Sequence, residues 1–256
     1  MRVTVLASGS GGNACVVESG QTRVLVDAGL SAKEIERRMR ARAIEPESIG
    51  ALFVTHEHND HGSGALVFAS RWACPIVATA GTAAALGLEG DLFSPFVRVE
   101  GGREGRIGDV GYRALATPHD AAESVAYGFE DGGARLVIAS DLGRAEAVFI
   151  DFLRDATTLL LEFNHDEDML RDGPYTWPLK KRISGGFGHL SNRESAEALS
   201  RSAGPRLKRV VATHLSRTNN TPEIVRAELA RALERAGREI PFDVAEQIAG
   251  LPAFDA

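Results

Sequence analysis

Residues 55–64, THEHNDHGSG, concentrate side chains that bind metal ions. The order His-x-His-x-Asp-His places four potential ligands, His56, His58, Asp60 and His61, within a short stretch. Neutral imidazole suits zinc, iron and manganese, and a carboxylate adds negative charge and a hard oxygen ligand. Without a cation, four such groups packed together would leave polar atoms unsatisfied, which costs free energy. The segment therefore predicts a metal site rather than a solvated loop.

Three further candidates each follow an apolar run. His119 lies in ATPHD, Asp141 in IASDLG and His214 in VATHLS. All seven histidines are predicted at strand ends or in loops rich in Gly, Asn and Ser, and none on an ordinary helix face. Polar turns that follow strands are where α/β enzymes carry catalytic groups. Taken alone, each of these residues is more simply interpreted as structural. Together with the first motif, the three favour a metal centre.

These candidates lie far apart in sequence and need a fold that brings them together. Ten short apolar runs between turn signals predict strands: Val3–Leu6, Ala14–Val17, Val24–Val26, Ala51–Val54, Ile76–Ala78, Tyr112–Ala116, Ser124–Phe129, Leu136–Ile138, Thr158–Phe163 and Arg209–Ala212. Helices are predicted over Ser31–Arg42, from Gly64, over Ser191–Ser202 and over Thr221–Ala236. Two of them open with Ser-x-x-Glu capping boxes and the last with Pro222. The pattern predicts stacked sheets with helices outside, as a single domain over residues 1–256.

Composition excludes some classes of protein. Of the 256 residues, 44% are hydrophobic, which is typical of a chain with a buried core. No run approaches the roughly 20 apolar residues that span a bilayer, so we expect no membrane association and a cytoplasmic location. Cys15 and Cys74 form no Cys-x-x-Cys pair and are predicted to be reduced core residues.

The net charge of −6 argues mildly against a nucleic-acid binder, because such proteins are usually basic. Bound divalent cations would cancel several carboxylates locally. Basic residues also cluster at Arg37, Arg38, Arg40 and Arg42, and again at Lys180, Lys181 and Arg182. The simpler interpretation of each cluster is a solvated helix face.

The order VDAG with Asp27, HEHNDH, His119, Asp141 and His214 resembles the metallo-β-lactamase superfamily over nearly the whole chain. The resemblance implies an α/β fold, the four-layer αβ/βα sandwich, with the metals at one edge of the sheets. It implies these roles: His56, His58 and His119 hold one metal, Asp60, His61 and His214 hold a second, and Asp141 bridges them. Asp27 would orient ligands as a partner outside the metal shell, and the alternative is that Asp27 simply forms the turn before Gly29.

A narrower resemblance rests on four stretches: SGSGGNA (8–14), EFNHDEDML (162–170), DGPYTWPLKKRISGGFGHLSN (172–192) and THLSRTNNTPE (213–223). These are similar to the YycJ/WalJ branch of the superfamily, which implies a metal-dependent 5′-to-3′ DNA exonuclease linked to DNA repair. Thr176 stands where the branch pattern has proline, a departure that touches no ligand.

Two histidines exceed the needs of the implied ligand set. His165 and His189 are predicted to contact the scissile or a neighbouring phosphate, and one of them to protonate the leaving oxygen. Hydroxyls and amides that would bind phosphate without reading sequence are also close in the chain: Ser191, Asn192, Ser216, Asn219 and Asn220. The alternative for His165 and His189 is that they cap helices or brace loops.

The implied chemistry uses two divalent metal ions, zinc, manganese or iron. Two metals about 3.5–4 Å apart can bridge a hydroxide and clamp both oxygens of an in-line displacement. Asp60 and Asp141 would then be catalytic as well as ligands, because they would hold the metals close and hydrogen-bond the hydroxide. This machinery also suits thioesters, lactones and cyclic phosphodiesters. A small-molecule hydrolase of the same fold, or a non-catalytic metal-binding regulator, therefore stays an alternative, and the oligomeric state stays open.

Overall fold

The computed structural model describes residues 1–88 and 95–256. The chain divides into two compact units. Unit 1 consists of Met1–Ala116, Ala121–Gly133 and Glu246–Asp255, and unit 2 consists of Thr117–Asp120, Ala134–Ala245 and Ala256.

Unit 1 is built on a sheet that changes from antiparallel to parallel. Its strands are β1 (Arg2–Ala7), β2 (Ala14–Ser19), β3 (Thr22–Val26), β4 (Ile49–Phe53), β5 (Ile76–Ala78), β6 (Phe96–Arg98) and β14 (Leu251–Asp255). They are ordered β14-β1-β2-β3-β4-β5-β6, antiparallel as far as β3 and parallel from there on. Three more strands, β7 (Glu104–Ile107), β8 (Val110–Ala116) and β9 (Val125–Glu130), form an antiparallel meander.

The helices of unit 1 lie between its parallel strands, as parallel connections require. They are α1 (Ala32–Arg40), α2 (Asn59–Gly62), α3 (Ala65–Trp72) and α4 (Ala80–Ala85), with a 3₁₀ turn at Pro46–Ser48. Buried side chains of these helices, such as Met39 and Phe68, join Leu25 and Leu52 of the sheet in one apolar core.

Unit 2 contains a parallel sheet with the strand order β13-β12-β11-β10. Its strands are β10 (Arg135–Ala139), β11 (Thr158–Glu162), β12 (Arg209–Thr213) and β13 (Phe242–Val244). Its helices are α5 (Ala147–Arg154), α6 (Glu167–Asp172), α7 (Trp177–Ile183), α8 (Asn192–Ser202) and α9 (Pro222–Arg235). Every residue of β10 and β11 is buried, as is typical of a parallel sheet.

All ten predicted strands and all four predicted helices are confirmed, with ends that differ by a few residues. The capping box predicted at Ser191 forms in full. At Ser31 only half of the predicted box forms: the hydroxyl accepts from the Glu34 N–H at 3.3 Å. The Glu34 carboxylate turns instead to the guanidinium groups of Arg37 and Arg38.

The basic cluster on α1 is not simply a solvated face, so that interpretation was partly wrong. Arg38 is buried and donates to the carbonyl oxygens of Leu6, Gln247 and Ile248. Arg42 donates to the carbonyl of Ala249 at 2.7 Å. Both side chains tie the carboxyl-terminal segment to α1.

Among the helices of the described ranges, none has the length and apolar character needed to cross a bilayer.

Candidate metal centre

In unit 1, parallel pairing of β3 with β4 brings the turns after the two strands to the same edge of the sheet. Asp27 follows β3 and Thr55 follows β4 shortly after its end. Asp27 has a φ of 60°, in the left-handed region that Asp adopts more readily than most residues. Its N–H donates to the carbonyl of Phe53 at 2.8 Å, so the unusual backbone keeps its hydrogen bond.

The Asp27 carboxylate is buried and fixes the orientation of His61. It accepts hydrogen bonds from the Thr55 N–H at 2.8 Å, from the Thr55 hydroxyl at 3.0 Å and from His61 Nδ1 at 2.7 Å. A proton on Nδ1 leaves Nε2 as the lone-pair atom, which Asn13 Nδ2 approaches at 2.9 Å. A carboxylate behind a ligating imidazole is the usual support of a metal-bound histidine.

Three imidazoles of the first motif lie together. The ring centroids of His56 and His58 are 4.7 Å apart, and those of His56 and His61 are 4.2 Å apart. Asp60 Oδ2 lies 3.7 Å from His61 Nε2. His58 is the N-cap of α2, and His61 lies within that helix, so the expectation that His61 would sit in a loop was wrong. Helix α2 and the loop directly before it group all four predicted side chains.

The turn between β1 and β2 and the turn after β3 both contact helix α2 through their backbones. The carbonyl oxygen of Asp60 accepts from the Asn13 N–H at 2.8 Å, and that of His61 accepts from the Ala28 N–H at 2.7 Å. A Cβ on Gly29 would lie 1.7 Å from the Asp60 carbonyl oxygen. Only glycine fits there, because a real Cβ never comes so close.

In unit 2, the parallel strands deliver three acidic or imidazole side chains to one edge. Asp141 follows β10, Glu162 ends β11 and His214 follows β12. Asp141 and His214 have φ angles of 60° and 57°, so both turn out of their strands in the left-handed conformation. Non-glycine residues held in this way cluster at functional sites.

Glu162 is fully buried and is the acceptor at the centre of this edge. Its oxygens accept from two imidazoles, His189 Nδ1 at 2.9 Å and His214 Nδ1 at 3.0 Å. They also accept from the main-chain N–H groups of Asp141, Leu142 and Leu190 at 2.9–3.2 Å. Burial alone would raise the pKa of Glu162, but the charge and hydrogen bond of His189 and the bond from His214 lower the pKa to about 2.

His189 joins this cluster although the sequence did not place it among the ligands. Its Nδ1 lies 3.5 Å from Asp141 Oδ1, and its ring centroid lies 5.3 Å from that of His214. Burial acts to lower the pKa of His189, but the attraction of Glu162 outweighs it and the pKa is raised. Asp141, Glu162, His189 and His214 each offer a ligand atom within 4.8 Å of the others, a donor set suited to a divalent cation.

His119 belongs to the same unit and is held in a similar way. Its Nδ1 lies 3.0 Å from the carbonyl of Gly188, to which it donates, and its Nε2 lies 3.7 Å from Asp141 Oδ1. Burial lowers the pKa of His119, which favours the neutral imidazole that binds metals.

His165 is buried, and burial lowers its pKa. It pairs with Ser191 through an isolated bridge, and its carbonyl accepts from the Asn192 N–H at 2.8 Å. Its Nδ1 has no hydrogen-bond partner among the residues that the structure describes.

Four of the five predicted phosphate contacts form side-chain hydrogen bonds within the protein. Ser191 caps α8, and the Asn192 and Asn220 amides bond each other in both directions at 2.9 Å. The Ser216 hydroxyl accepts from the Asn219 N–H at 3.1 Å. The buried Asn219 amide has neither oxygen nor nitrogen bonded within the described ranges. These bonds are typical of residues that cap helices or brace loops. The phosphate contacts stay a prediction.

Glu162 is the residue that sequence reasoning missed. The signal was present in TLLLE, a buried apolar strand that ends in an acid. A carboxylate at such a position needs partners, because burying an unpaired charge is costly.

The amino-acid sequence is similar to a known protein family and to two named relatives. The sequence profile of the Metallo-beta-lactamase superfamily matches residues 7–214. Exodeoxyribonuclease WalJ of Streptococcus pneumoniae is 33% identical over 94% of this chain and 91% of its own length. Exodeoxyribonuclease YycJ of Bacillus anthracis is 32% identical over 93% of this chain and 90% of its own length.

The crystal structure of YhfI from Bacillus subtilis, a metallo-β-lactamase fold protein, superposes with a TM-score of 0.75 at 19% identity and covers 99% of both chains. This likeness confirms the expected fold and its α/β class. Because the superfamily profile and the two relatives each cover most of its length, the chain belongs to the metallo-β-lactamase superfamily, within the branch of WalJ and YycJ.

Proposed function

We propose that this chain is a metal-dependent phosphodiesterase, a 5′-to-3′ DNA exonuclease that acts in DNA repair. The observation that carries the proposal is the similarity, over 93–94% of the chain, to relatives named exodeoxyribonucleases. The buried clusters of imidazoles and carboxylates support a hydrolytic metal centre, since such donors suit zinc, manganese and iron.

The proposed ligands follow the superfamily pattern. His56, His58 and His119 would hold one divalent ion, Asp60, His61 and His214 would hold a second, and Asp141 would serve both. Glu162 is better described as a positioning residue, because its two oxygens already accept five hydrogen bonds.

Bound divalent ions activate water and stabilise charge on the phosphodiester during in-line displacement. The chain itself fixes the tautomers of its imidazoles. Asp27 holds the proton of His61 on Nδ1, and Glu162 does the same for His214, so that Nε2 of each ring carries the lone pair.

Of the two additional histidines, His189 is the better candidate to protonate the leaving oxygen. Its side chain keeps 21% of its surface exposed, whereas His165 is almost completely buried. A proton donor must come within hydrogen-bond reach of the substrate. His165 then supports the Ser191 turn and the phosphate-binding residues from behind.

The single-domain organisation and the cytoplasmic location are part of the same proposal. One superfamily profile runs through residues from both units, which supports one domain. Both cysteines are buried free thiols, as suits a reducing compartment.

The test is hydrolysis of 5′-labelled single-stranded and duplex DNA by protein stripped with chelator and reloaded with zinc, manganese or iron. We expect release of 5′ nucleotides with at least one metal and loss of that activity in Asp60→Ala. Asp168→Ala, which removes an exposed carboxylate of α6, is the matched control and should keep full activity. Strong turnover of a thioester with none of DNA would instead establish a small-molecule hydrolase.

A further inference from the structure

Residues 174–188, here called the α7 segment, present aromatic side chains to solvent. Trp177 is 74% exposed and Phe187 is 56% exposed, and α7 itself has no buried residue. Single exposed apolar residues are common on protein surfaces. Two large aromatic rings on one short segment are less easily explained by folding, since neither contributes to a core.

Positive charge accompanies these rings. The Arg144 guanidinium lies over the Phe187 ring, 5.1 Å from its centroid, and also forms an ion pair with Glu146 at 2.6 Å. Lys181 is exposed and forms no ion pair with any residue of the described ranges. Arg182 differs, because Asp120 neutralises it at 2.5 Å. In a chain whose net charge is −6, an exposed lysine thus lies between two exposed aromatic residues in the sequence.

Backbone hydrogen bonds and a close glycine contact join the α7 segment to candidate metal-binding residues of unit 2. The His189 N–H donates to the Ile183 carbonyl at 2.8 Å, and the Asp120 N–H donates to the Phe187 carbonyl at 3.0 Å. A Cβ on Gly143, two residues after Asp141, would lie 2.2 Å from the backbone of Gly186. The two exposed rings therefore belong to a segment that directly precedes His189 and is bonded to it.

We propose that the α7 segment binds a single strand of the nucleic acid substrate, with bases stacked on Trp177 and Phe187 and a phosphate at Lys181. The proposal rests on the nuclease function proposed above. Aromatic platforms flanked by cations hold single strands without reading sequence, because every base has a π-face. A strand held here would be presented to the cluster that contains Asp141 and His189.

Binding is measured on chelator-treated protein, so that no cleavage occurs, with fluorescent oligothymidylate of about 12 nucleotides. An abasic oligonucleotide of equal length supplies the same phosphates without bases. We expect Trp177→Ala and Phe187→Ala each to weaken oligothymidylate binding roughly 5- to 100-fold and abasic binding less than about twofold. Lys181→Ala should weaken both oligonucleotides alike.

Matched controls test the location of the surface. Lys208→Ala removes an exposed lysine before β12, at the end of the strand away from His214, and Ile248→Ala removes an exposed apolar side chain. Neither should change either affinity. In the parent chain, binding should also quench the fluorescence of Trp177, and the quenching should disappear in Trp177→Ala, where the partly buried Trp72 is the remaining tryptophan.

Equal affinity of the parent protein for the two oligonucleotides, or unchanged binding in the Trp177→Ala, Phe187→Ala double variant, overturns the stacking surface. Hydrolysis of bis(p-nitrophenyl) phosphate by metal-loaded protein separates this result from failure of the nuclease proposal. The small diester needs no strand surface, so the double variant should hydrolyse it at the parent rate. If the parent cleaves neither diester nor DNA, the nuclease proposal fails, whereas the binding measurements still decide whether the surface exists.

Discussion

At the scale of single residues, Glu162 connects three of the turns that carry candidate ligands in unit 2. Its carboxylate accepts from the Asp141 turn, from His189 and Leu190, and from His214. One buried charge therefore sets the orientation of two imidazoles and the course of two loops. Replacing it should disturb folding and metal binding together.

We expect Glu162→Gln to lower the free energy of unfolding of the metal-free protein by about 3 kcal/mol, because a buried charged network loses its anion. The NH2 group of the glutamine would also face N–H donors where the glutamate offers an acceptor oxygen. Metal affinity should fall about 10- to 100-fold, since the imidazoles lose the group that orients them. Urea denaturation and metal titration measure the two effects.

Glu197→Gln on α8 is the control for this change, because its carboxylate is 69% exposed. It should alter stability by less than about 0.5 kcal/mol. If Glu162→Gln were equally mild, the hydrogen bonds to Glu162 would contribute little to the fold.

The sequence alone predicted which residues at strand ends are candidate ligands, but it did not predict their hydrogen-bond partners. Asp27, Asp141 and His214 stand directly after apolar runs, which made them recognisable as candidates. The bond from His61 to Asp27 joins positions 34 residues apart, and that from His214 to Glu162 joins positions 52 apart. Such pairs depend on strand order, which local pattern does not encode.

At the scale of elements, buried strands were predicted and edge strands were missed. Within residues 1–88 and 95–256, the four missed strands are β6, β7, β13 and β14. Each pairs on one side and lies at a sheet edge. Edge strands are short and partly polar, so the apolar run that marks a central strand is absent. In β14, Pro252 also argues against a strand, although proline is tolerated at an edge.

Helix α8 offers a test that separates bracing from substrate contact. Ser191→Ala removes the capping-box hydroxyl and should cost about 1 kcal/mol of stability, as should Ser31→Ala, which removes the cap of α1. Thermal or urea unfolding measures both losses. If Ser191 binds phosphate as well, its variant alone should raise KM for DNA.

Equal KM values in the Ser191→Ala and Ser31→Ala variants would leave Ser191 with the capping role only. The two hydrogen bonds that Ser191 donates to the Glu194 carboxylate already account for the burial of Ser191 without a ligand.

At the scale of the whole molecule, the core controls the chemistry of the two cysteines. Burial raises the pKa of Cys74 to about 11. Burial, together with the nearby charge of Asp27, raises the pKa of Cys15 further. Only the thiolate reacts with alkylating agents, so a raised pKa means slower labelling near neutral pH.

At about pH 8 a thiol of pKa near 11 is about 0.1% thiolate, against about 25% for an unfolded cysteine of pKa near 8.5. We therefore expect iodoacetamide to label native Cys74 at least about 200-fold more slowly than the urea-unfolded chain. Raising the pH should speed labelling of Cys74 before that of Cys15. Mass spectrometry after timed quenching measures the rates, and rapid native labelling at both sites would contradict their burial.

The contact between Gly29 and the Asp60 carbonyl determines which parts of this molecule can be redesigned. Because the main chains are in direct contact there, the turns that carry the candidate ligands have no space for larger side chains. Variants with substitutions at these glycines should therefore misfold. The α7 segment has the opposite character, because its outward rings support no core. A library that aims at new substrates should therefore randomise Trp177 and its neighbours and leave the glycine turns untouched.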